Sequence, residues 1–504
     1  MIARYAEMLP GATIARLHDA SLEVLEQVGL LVRNAKARER FARHGARVDE
    51  DSQIVRFPRA VVEEFRALVP GRFVFGARNE ALTRTIPDDG LTIATASSAP
   101  DLIDPDSGEL RRSLSGDIAR IARLVNALDG IDVFSISVLA DDAPEGQFSL
   151  ARFYPAVKNC WKPVRTSVQD AREARQIIDL GAAVAGDEGR SRARPFITFG
   201  YCSIVSPLTM DFDSTEMLMY FAEEGLPAYG TIAPIGGISA PLSPFAMLVQ
   251  INAEWLATAV LAQMSRPGTP LIYNFLPVVG DMRSGAYAAG AIETGIMAAC
   301  LAQMARFYGV PSGSYLGLTN AKTGDAQAGY EKAMSPTLAT AAGIDFVVMG
   351  GLLDALMSFD FGQAVMDNEI ALMLKRVRGA LGEDDSAEAL AEIAEAGPGG
   401  MYVGNAHTLE RMREAAFLPQ VADRERREVW RAKGGEDAHA HALRLAKAIL
   451  GRDNPGELAP EIDARVRSIF PADLVSGTAE VPAGWVDPEP ESARRQNRRR
   501  QRVT

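Results

Sequence analysis

Between residues 116 and 383, short runs that are apolar on both faces alternate with stretches of helical period, and this alternation leaves the chain very few folds. The runs are IDVFSISV (131–138), PVRTSV (163–168), PFITFGYCSIV (195–205), LPAYGTIAP (226–234), TPLIYNFLPV (269–278), PSGSYLGLT (311–319) and IDFVVMGGL (344–352), each followed by a helical segment. Strands that show neither face to water belong to parallel sheets covered by helices. Right-handed closure of such a series gives a doubly wound sheet or a (β/α)8 barrel. No GxGxxG follows the first run and no GxxxxGK[ST] occurs anywhere, which favours the barrel over a nucleotide-binding sheet. The expected fold is therefore α/β: a (β/α)8 TIM barrel over 116–383, with the eighth strand placed near Ser358–Phe361.

Two flanking regions are expected. Residues 1–115 read as an N-terminal α+β cap. There Ile14, Leu17, Leu22, Leu25 and Val28 share a helical face, and Pro87-Asp88-Asp89-Gly90 and Asp106-Ser107-Gly108 mark hairpin turns. Residues 384–475 read as a C-terminal helical extension, and 476–504, rich in Pro, Glu and Arg, as a disordered tail.

Composition excludes several function classes. Of 504 residues, 47% are hydrophobic and 23% charged, a globular balance. Net charge is −12, and six arginines lie between Arg494 and Arg502, so the body is more acidic still and ill-suited to phosphate backbones. Cys160, Cys202 and Cys300 offer neither a disulfide framework nor a CxxC site, and the five histidines contain no HExxH. The amino terminus lacks the apolar core of a secretory signal, and the apolar stretch 285–305 contains Glu293 and reads as a buried helix. A cytoplasmic location is expected.

In a (β/α)8 barrel the active site lies at the carboxy-terminal strand ends. Tyr201, Tyr229, Tyr273, Phe275 and Tyr315 fall there, with Asn274 among them. Several ring faces can surround a cation that has no N–H to donate, such as a quaternary ammonium; the alternative is that these rings are core packing. The densest polar segment follows the sixth run, with Asn320, Lys322, Asp325, Gln327, Tyr330 and Glu331. It suits a polar active site, or a solvated loop with Asp325 as a helix N-cap. His407, beside a Gly-rich turn, would cap the site from the extension or else bond its own helix.

The chain resembles the trimethylamine methyltransferase family. The resemblance rests on APDLIDPDSGELRRSLSGDIARIARLVNALDGID (99–132), SPLTMD (206–211), the APIGG…NAEWLATAVLAQMSRPGTPLIY block (233–273), GLTNAKTGDAQAGYEKAMSPTLATAAGIDFV (317–347) and GPGG…HTLERMREAAFLPQVADRERREVW (397–430). It implies a TIM barrel and a partner, a small corrinoid-binding protein whose cob(I)alamin accepts the methyl group, with no tightly bound cofactor of the chain's own. Founding members carry pyrrolysine, and the chain has none, so it resembles the branch without it, in which relatives use betaines such as glycine betaine. The replacement is expected within 320–334.

A quaternary ammonium already carries a neutral amine leaving group, so transfer from it needs mainly positioning and desolvation. The expected activity is methyl transfer from a quaternary amine, a betaine foremost, to the partner's cob(I)alamin. Asp325, Gln327 and Glu331 are the catalytic candidates. Tyr201, Tyr229, Tyr273, Asn274, Phe275, Tyr315, Asn320, Lys322, Tyr330 and His407 are the substrate-binding ones, with Lys322, Asn274 or Asn320 on the carboxylate. No metal ligand is expected, and a homo-oligomer is. The rival readings are trimethylamine as donor, a metal-dependent aldolase or lyase using Asp211, Asp325 and Glu331, and a non-catalytic betaine-binding barrel.

Overall fold

Short apolar runs become parallel strands when each is followed by a helix long enough to return the chain, and eight segments here satisfy that condition. The computed structural model describes residues 5–186, 189–190, 196–379, 386–413 and 415–470, so the tail 476–504 lies outside the described residues. The parallel strands are β1 (Thr92–Thr95), β2 (Phe134–Ser135), β3 (Val164–Thr166), β4 (Ile197–Tyr201), β5 (Ala228–Gly230), β6 (Tyr273–Phe275), β7 (Ser312–Tyr315) and β8 (Phe346–Met349). The helices that follow them in turn are α1 (Ser115–Asn126), α2 (Phe148–Asn159), α3 (Ala171–Ala185), α4 (Phe212–Glu224), α5 (Pro244–Ser265), α6 (Ile292–Tyr308), α7 (Ala326–Ala341) and α8 (Phe361–Gly379).

Two four-stranded parallel sheets result, ordered β2-β3-β4-β5 and β6-β7-β8-β1. Parallel bridges Ala94↔Val133 and Ile232↔Phe275 connect an edge of one sheet to an edge of the other at both junctions. The fold is α/β, as the alternating pattern predicted.

The eighth parallel strand is not where the sequence placed it. Thr92–Thr95 pairs with β8 in the register Phe346↔Thr92 through Met349↔Thr95, although its surroundings carry hairpin turns. Ser358–Phe359 instead pairs antiparallel with Leu352–Leu353 and parallel with Asp101–Leu102. The intervening Asp354, Ala355 and Leu356 all have positive φ, a tight reversal that no crossover helix separates.

The amino-terminal end of the strands is closed by packing. The strand Phe73–Phe75 pairs antiparallel with Arg84–Ile86, and Phe75 stacks on Phe346 at 4.9 Å between ring centroids. Helix α5 is long and apolar enough to cross a membrane, yet 83% of its most apolar window is buried. Helices Gly11–Glu23 and Arg59–Arg66, with α4, pack against it. The strand Leu30–Val32 runs parallel to Thr209–Met210, just before α4.

Helices α7 and α8 are joined through a buried ion pair. Lys332 Nζ lies 3.1 Å from Asp367 Oδ2, and both side chains are essentially inaccessible. The same ammonium donates to the carbonyls of Gly317 (2.7 Å) and Leu352 (3.0 Å), while Asp367 accepts from Gln363 and the Gly351 amide. In the C-terminal region, the helix Ala438–Leu450 packs on α8 and α1. Its first turn is tied down by His439 Nε2, 2.8 Å from Asp360 Oδ1.

Two outcomes are expected. Lys332→Met leaves Asp367 buried without its cation and should destabilise the protein by about 3–5 kcal/mol in denaturant unfolding, with Lys332→Met/Asp367→Leu recovering most of the loss; a single-variant loss under about 1 kcal/mol would contradict the assignment. The bond to Asp360 raises the His439 pKa, against the opposing effect of burial. The protonated ring's contribution is therefore complete below about pH 6.5 and fades as pH rises through the elevated pKa. Limited proteolysis around residues 451–459 should speed up between pH 6 and pH 8.5 relative to His439→Gln, which should show no such dependence.

Candidate functional site

Successive side chains of a strand point to opposite faces, and at the carboxy-terminal strand ends this alternation sorts the aromatic candidates into two groups. In β6, Tyr273 and Phe275 turn toward the helices. The Tyr273 ring meets Trp255 of α5 at 4.7 Å and Phe275 at 4.4 Å, and its hydroxyl donates to Asn252 Oδ1 at 2.7 Å. Asn274, between them, faces the other way. It accepts from the Tyr229 hydroxyl (3.1 Å) and donates to Thr231 Oγ1 (2.9 Å). In β4, Phe199 stacks on Phe221 of α4 at 4.6 Å and Tyr201 meets the same ring at 5.8 Å. Tyr201, Tyr273 and Phe275 thus belong to the strand–helix layer, whereas Tyr229, Asn274 and Tyr315 share the inner face.

The inner face is organised around a residue the sequence reading passed over. Arg165, central in β3, is only 7% exposed. Its guanidinium lies 4.5 Å from the Tyr229 ring centroid and 5.5 Å from that of Tyr315. Nη1 donates to Ser97 Oγ (3.0 Å) and Ser135 Oγ (3.3 Å), and Ser97 Oγ is 3.3 Å from the Tyr315 hydroxyl. Gly200 makes room: a Cβ there would sit 2.6–2.7 Å from the guanidinium atoms. Nε is buried, and among the described residues it has no hydrogen-bond partner and no carboxylate pairs with this cation. The signal was present in the sequence as a lone charge inside the apolar run PVRTSV.

A second buried guanidinium stands nearby. Arg152 of α2 donates to Ser167 Oγ (2.8 Å), Ser98 Oγ (3.1 Å) and the Val138 carbonyl (3.3 Å). Burial, and then the charge of Arg165, push its pKa down to about 10, with Glu173 opposing. Burial likewise pushes the Tyr229 and Tyr287 phenols up, so both are neutral at physiological pH.

The polar segment after β7 also divides. Asp325 caps α7, accepting from the amides of Gln327 (2.9 Å) and Ala328 (3.2 Å), and it is exposed. Glu331 is half-buried: Oε2 accepts from the Thr319 hydroxyl (2.5 Å) and the Asn320 amide (2.8 Å), and Oε1 from Gln327 Nε2 (3.0 Å). Gly290 packs so closely on this carboxylate that a Cβ would overlap it. Asn320 accepts from the Gly290 amide (3.0 Å) and donates to the Tyr287 carbonyl (2.8 Å). Tyr287 was absent from the candidates; burial, and then the nearby Tyr315 phenol, raise its pKa.

The remaining candidates lie elsewhere. Lys322 is exposed, 3.3 Å from Asp354 Oδ1, and with Asp325, Asp360 and His439 it lines a separate cleft of about 570 Å³ against the C-terminal helix. Tyr330 is 56% exposed. His407 pairs with Glu392 in the extension, and Glu388 completes a group whose ligand atoms lie within 4.8 Å of one another. Asp211 and Asp325 cap two different helices, and neither belongs to that group, the one set among the described residues close enough to share an ion. Cys202 is exposed just past β4, and Cys160 and Cys300 are buried.

The family model for trimethylamine methyltransferase (MTTB) matches residues 2–470. Trimethylamine methyltransferase MttB of Desulfitobacterium hafniense (strain DSM 10664 / DCB-2) is 30% identical over 453 residues, covering 90% of this chain and 91% of its own. Glycine betaine methyltransferase of Desulfitobacterium hafniense (strain Y51) is 31% identical over 460 residues, covering 91% of this chain and 95% of its own. Among solved structures, the monomethylamine methyltransferase MtmB of Methanosarcina barkeri aligns over 88% of this chain and 92% of its own, at 13% identity and a TM-score of 0.47. With the match running the length of the described residues, the chain belongs to the trimethylamine methyltransferase family of enzymes.

Proposed function

We propose that this enzyme transfers a methyl group from a quaternary amine, a betaine foremost, to the cob(I)alamin carried by a small corrinoid-binding partner protein. We read the eight parallel strands as a closed (β/α)8 barrel with the amine held at its carboxy-terminal mouth. A cap over 1–115, from which β1 joins the barrel, and an extension over 384–475 are part of the same proposal. A cytoplasmic location and a homo-oligomeric state belong to the same proposal.

The observation that carries the reading is Glu331. It is a half-buried carboxylate on α7, bonded to the loop that follows β7, held by three neutral donors and, among the described residues, without a cation partner. A quaternary ammonium has no N–H to donate, so it needs negative potential and aromatic surface, not acceptors in hydrogen-bond geometry. Glu331 supplies the first, and the rings of Tyr315, at the end of β7, and of Tyr287, in the segment after β6, are our candidates for the second. Protonated trimethylamine would instead offer a hydrogen-bond donor, for which the three donors already on Glu331 leave little room.

The partner's cob(I)alamin, when present, supplies the nucleophile. The chain's own residues position the N-methyl carbon, exclude water from the cation and stabilise the charge until the C–N bond breaks and its electron pair leaves on a neutral amine. No general acid is needed for that leaving group, which agrees with Asp325 serving as a helix cap.

Purified protein mixed anaerobically with cob(I)alamin and glycine betaine, proline betaine, carnitine or trimethylamine should convert the absorbance spectrum to methylcobalamin with a betaine and not with trimethylamine. Glu331→Gln should lower kcat/KM by about 10- to 100-fold, the range for losing a charged partner. No conversion with any quaternary amine would contradict the proposal, and betaine binding without conversion would favour a binding protein.

A further inference from the structure

We propose that Arg165 is the receptor for the carboxylate of a zwitterionic substrate, which makes the substrate class betaines and excludes quaternary amines lacking an acid group. This rests on the reading of Glu331 as the ammonium partner and deepens it. A guanidinium stays protonated at any physiological pH, and burying it without a counter-anion is strongly unfavourable. Arg165 is so buried, and what surrounds it within the protein is neutral: two serine hydroxyls and two tyrosine rings. Among the described residues its Nε has no hydrogen-bond partner. Arg152 adds a second positive charge close by, itself bound to hydroxyls and carbonyls. Two cations near one another at the same strand end, with neutral hydrogen-bond partners, make a place where an anion is the missing component.

The arrangement also fixes geometry. Gly200 lets the guanidinium lie flat against β4, and the Tyr229 and Tyr315 rings hold it from other directions. A planar, immobilised fork matches the two oxygens of a carboxylate better than a single-atom anion. From Arg165 the guanidinium reaches the Tyr315 ring at the end of β7, and in the segment that follows β7 Asn320 is bonded both to the Tyr287 carbonyl and to Glu331. Among the described residues, Arg165 is a cation lacking an anion and Glu331 an anion lacking a cation. A betaine is the reverse of that pair. Lys322, expected from the sequence to hold the carboxylate, is exposed and already paired with Asp354.

The test is calorimetric titration of the full-length protein with glycine betaine and with choline, which shares the trimethylammonium group and lacks the acid. Wild type should bind choline about 100-fold more weakly or worse. Arg165→Gln should weaken betaine binding by about 10- to 100-fold and leave choline binding within about threefold. Arg165→Lys, which keeps the charge without the fork, should fall between, and thermal unfolding confirms that each variant is folded. Betaine affinity in Arg165→Gln within about twofold of wild type, equal binding of choline and betaine by wild type, or no binding of betaine by wild type would each overturn the assignment. The comparison of the two ligands on wild type decides the matter even where Arg165→Gln does not fold. Arg165-dependent betaine binding without methyl transfer would leave this inference standing and defeat the transferase reading. Methyl transfer from betaine with KM unchanged in Arg165→Gln would do the opposite.

Discussion

A guanidinium sealed inside a strand array without a carboxylate is the constraint around which the rest of this site is arranged. Arg165 needs a neighbouring strand with no side chain, and Gly200 provides it. It needs neutral acceptors at the ends of β1 and β2, and Ser97 and Ser135 provide them. It needs polarisable surface, and the two inner tyrosines provide that. Aromatic faces that would suit a substrate ammonium are thus already occupied on one side by the protein's own cation. The ammonium position we propose is therefore toward Tyr287 and Glu331, whose carboxylate has no cation partner among the described residues.

The buried ion pair of Lys332 with Asp367 shows the contrasting case one residue beyond Glu331. Adjacent positions on α7 send one side chain inward to a fully satisfied structural pair and the other to the strand ends with neutral partners alone. The difference is helical geometry: a step of about 100° per residue separates the two faces. Charge that is satisfied holds helices together, and charge that is not satisfied is available to a ligand.

Much of this was legible in the sequence. The alternation of apolar runs with helices fixed the α/β class, because doubly buried strands have no other use for that pattern. Tyr229, Asn274 and Tyr315 lie on the strands that the runs predicted, and Asn320 and Glu331 in the polar segment after β7. The losses have specific causes. Thr92–Thr95 was masked by hairpin turns on both sides, since turn chemistry is local and the pairing with β8 spans about 250 residues. Tyr273, Phe275 and Tyr201 sit at the right height and on the wrong face, a one-residue question that depends on where each short strand begins. Asp325 is a cap, the ordinary fate of an aspartate before a helix. His407 belongs to the extension, and nothing in GNAHT tells a nearby glutamate from a distant barrel. Arg165 was visible as a charge in the middle of the apolar run PVRTSV, and its meaning emerged only when its surroundings proved neutral.

The most direct measurement is a crystal structure of the protein with glycine betaine. The account predicts both carboxylate oxygens within about 3 Å of the Arg165 guanidinium, the trimethylammonium group toward Glu331 and Tyr287, and a methyl facing the open strand ends. Betaine bound in the cleft of Lys322 and His439, or lying with its ammonium toward Arg165, would contradict it.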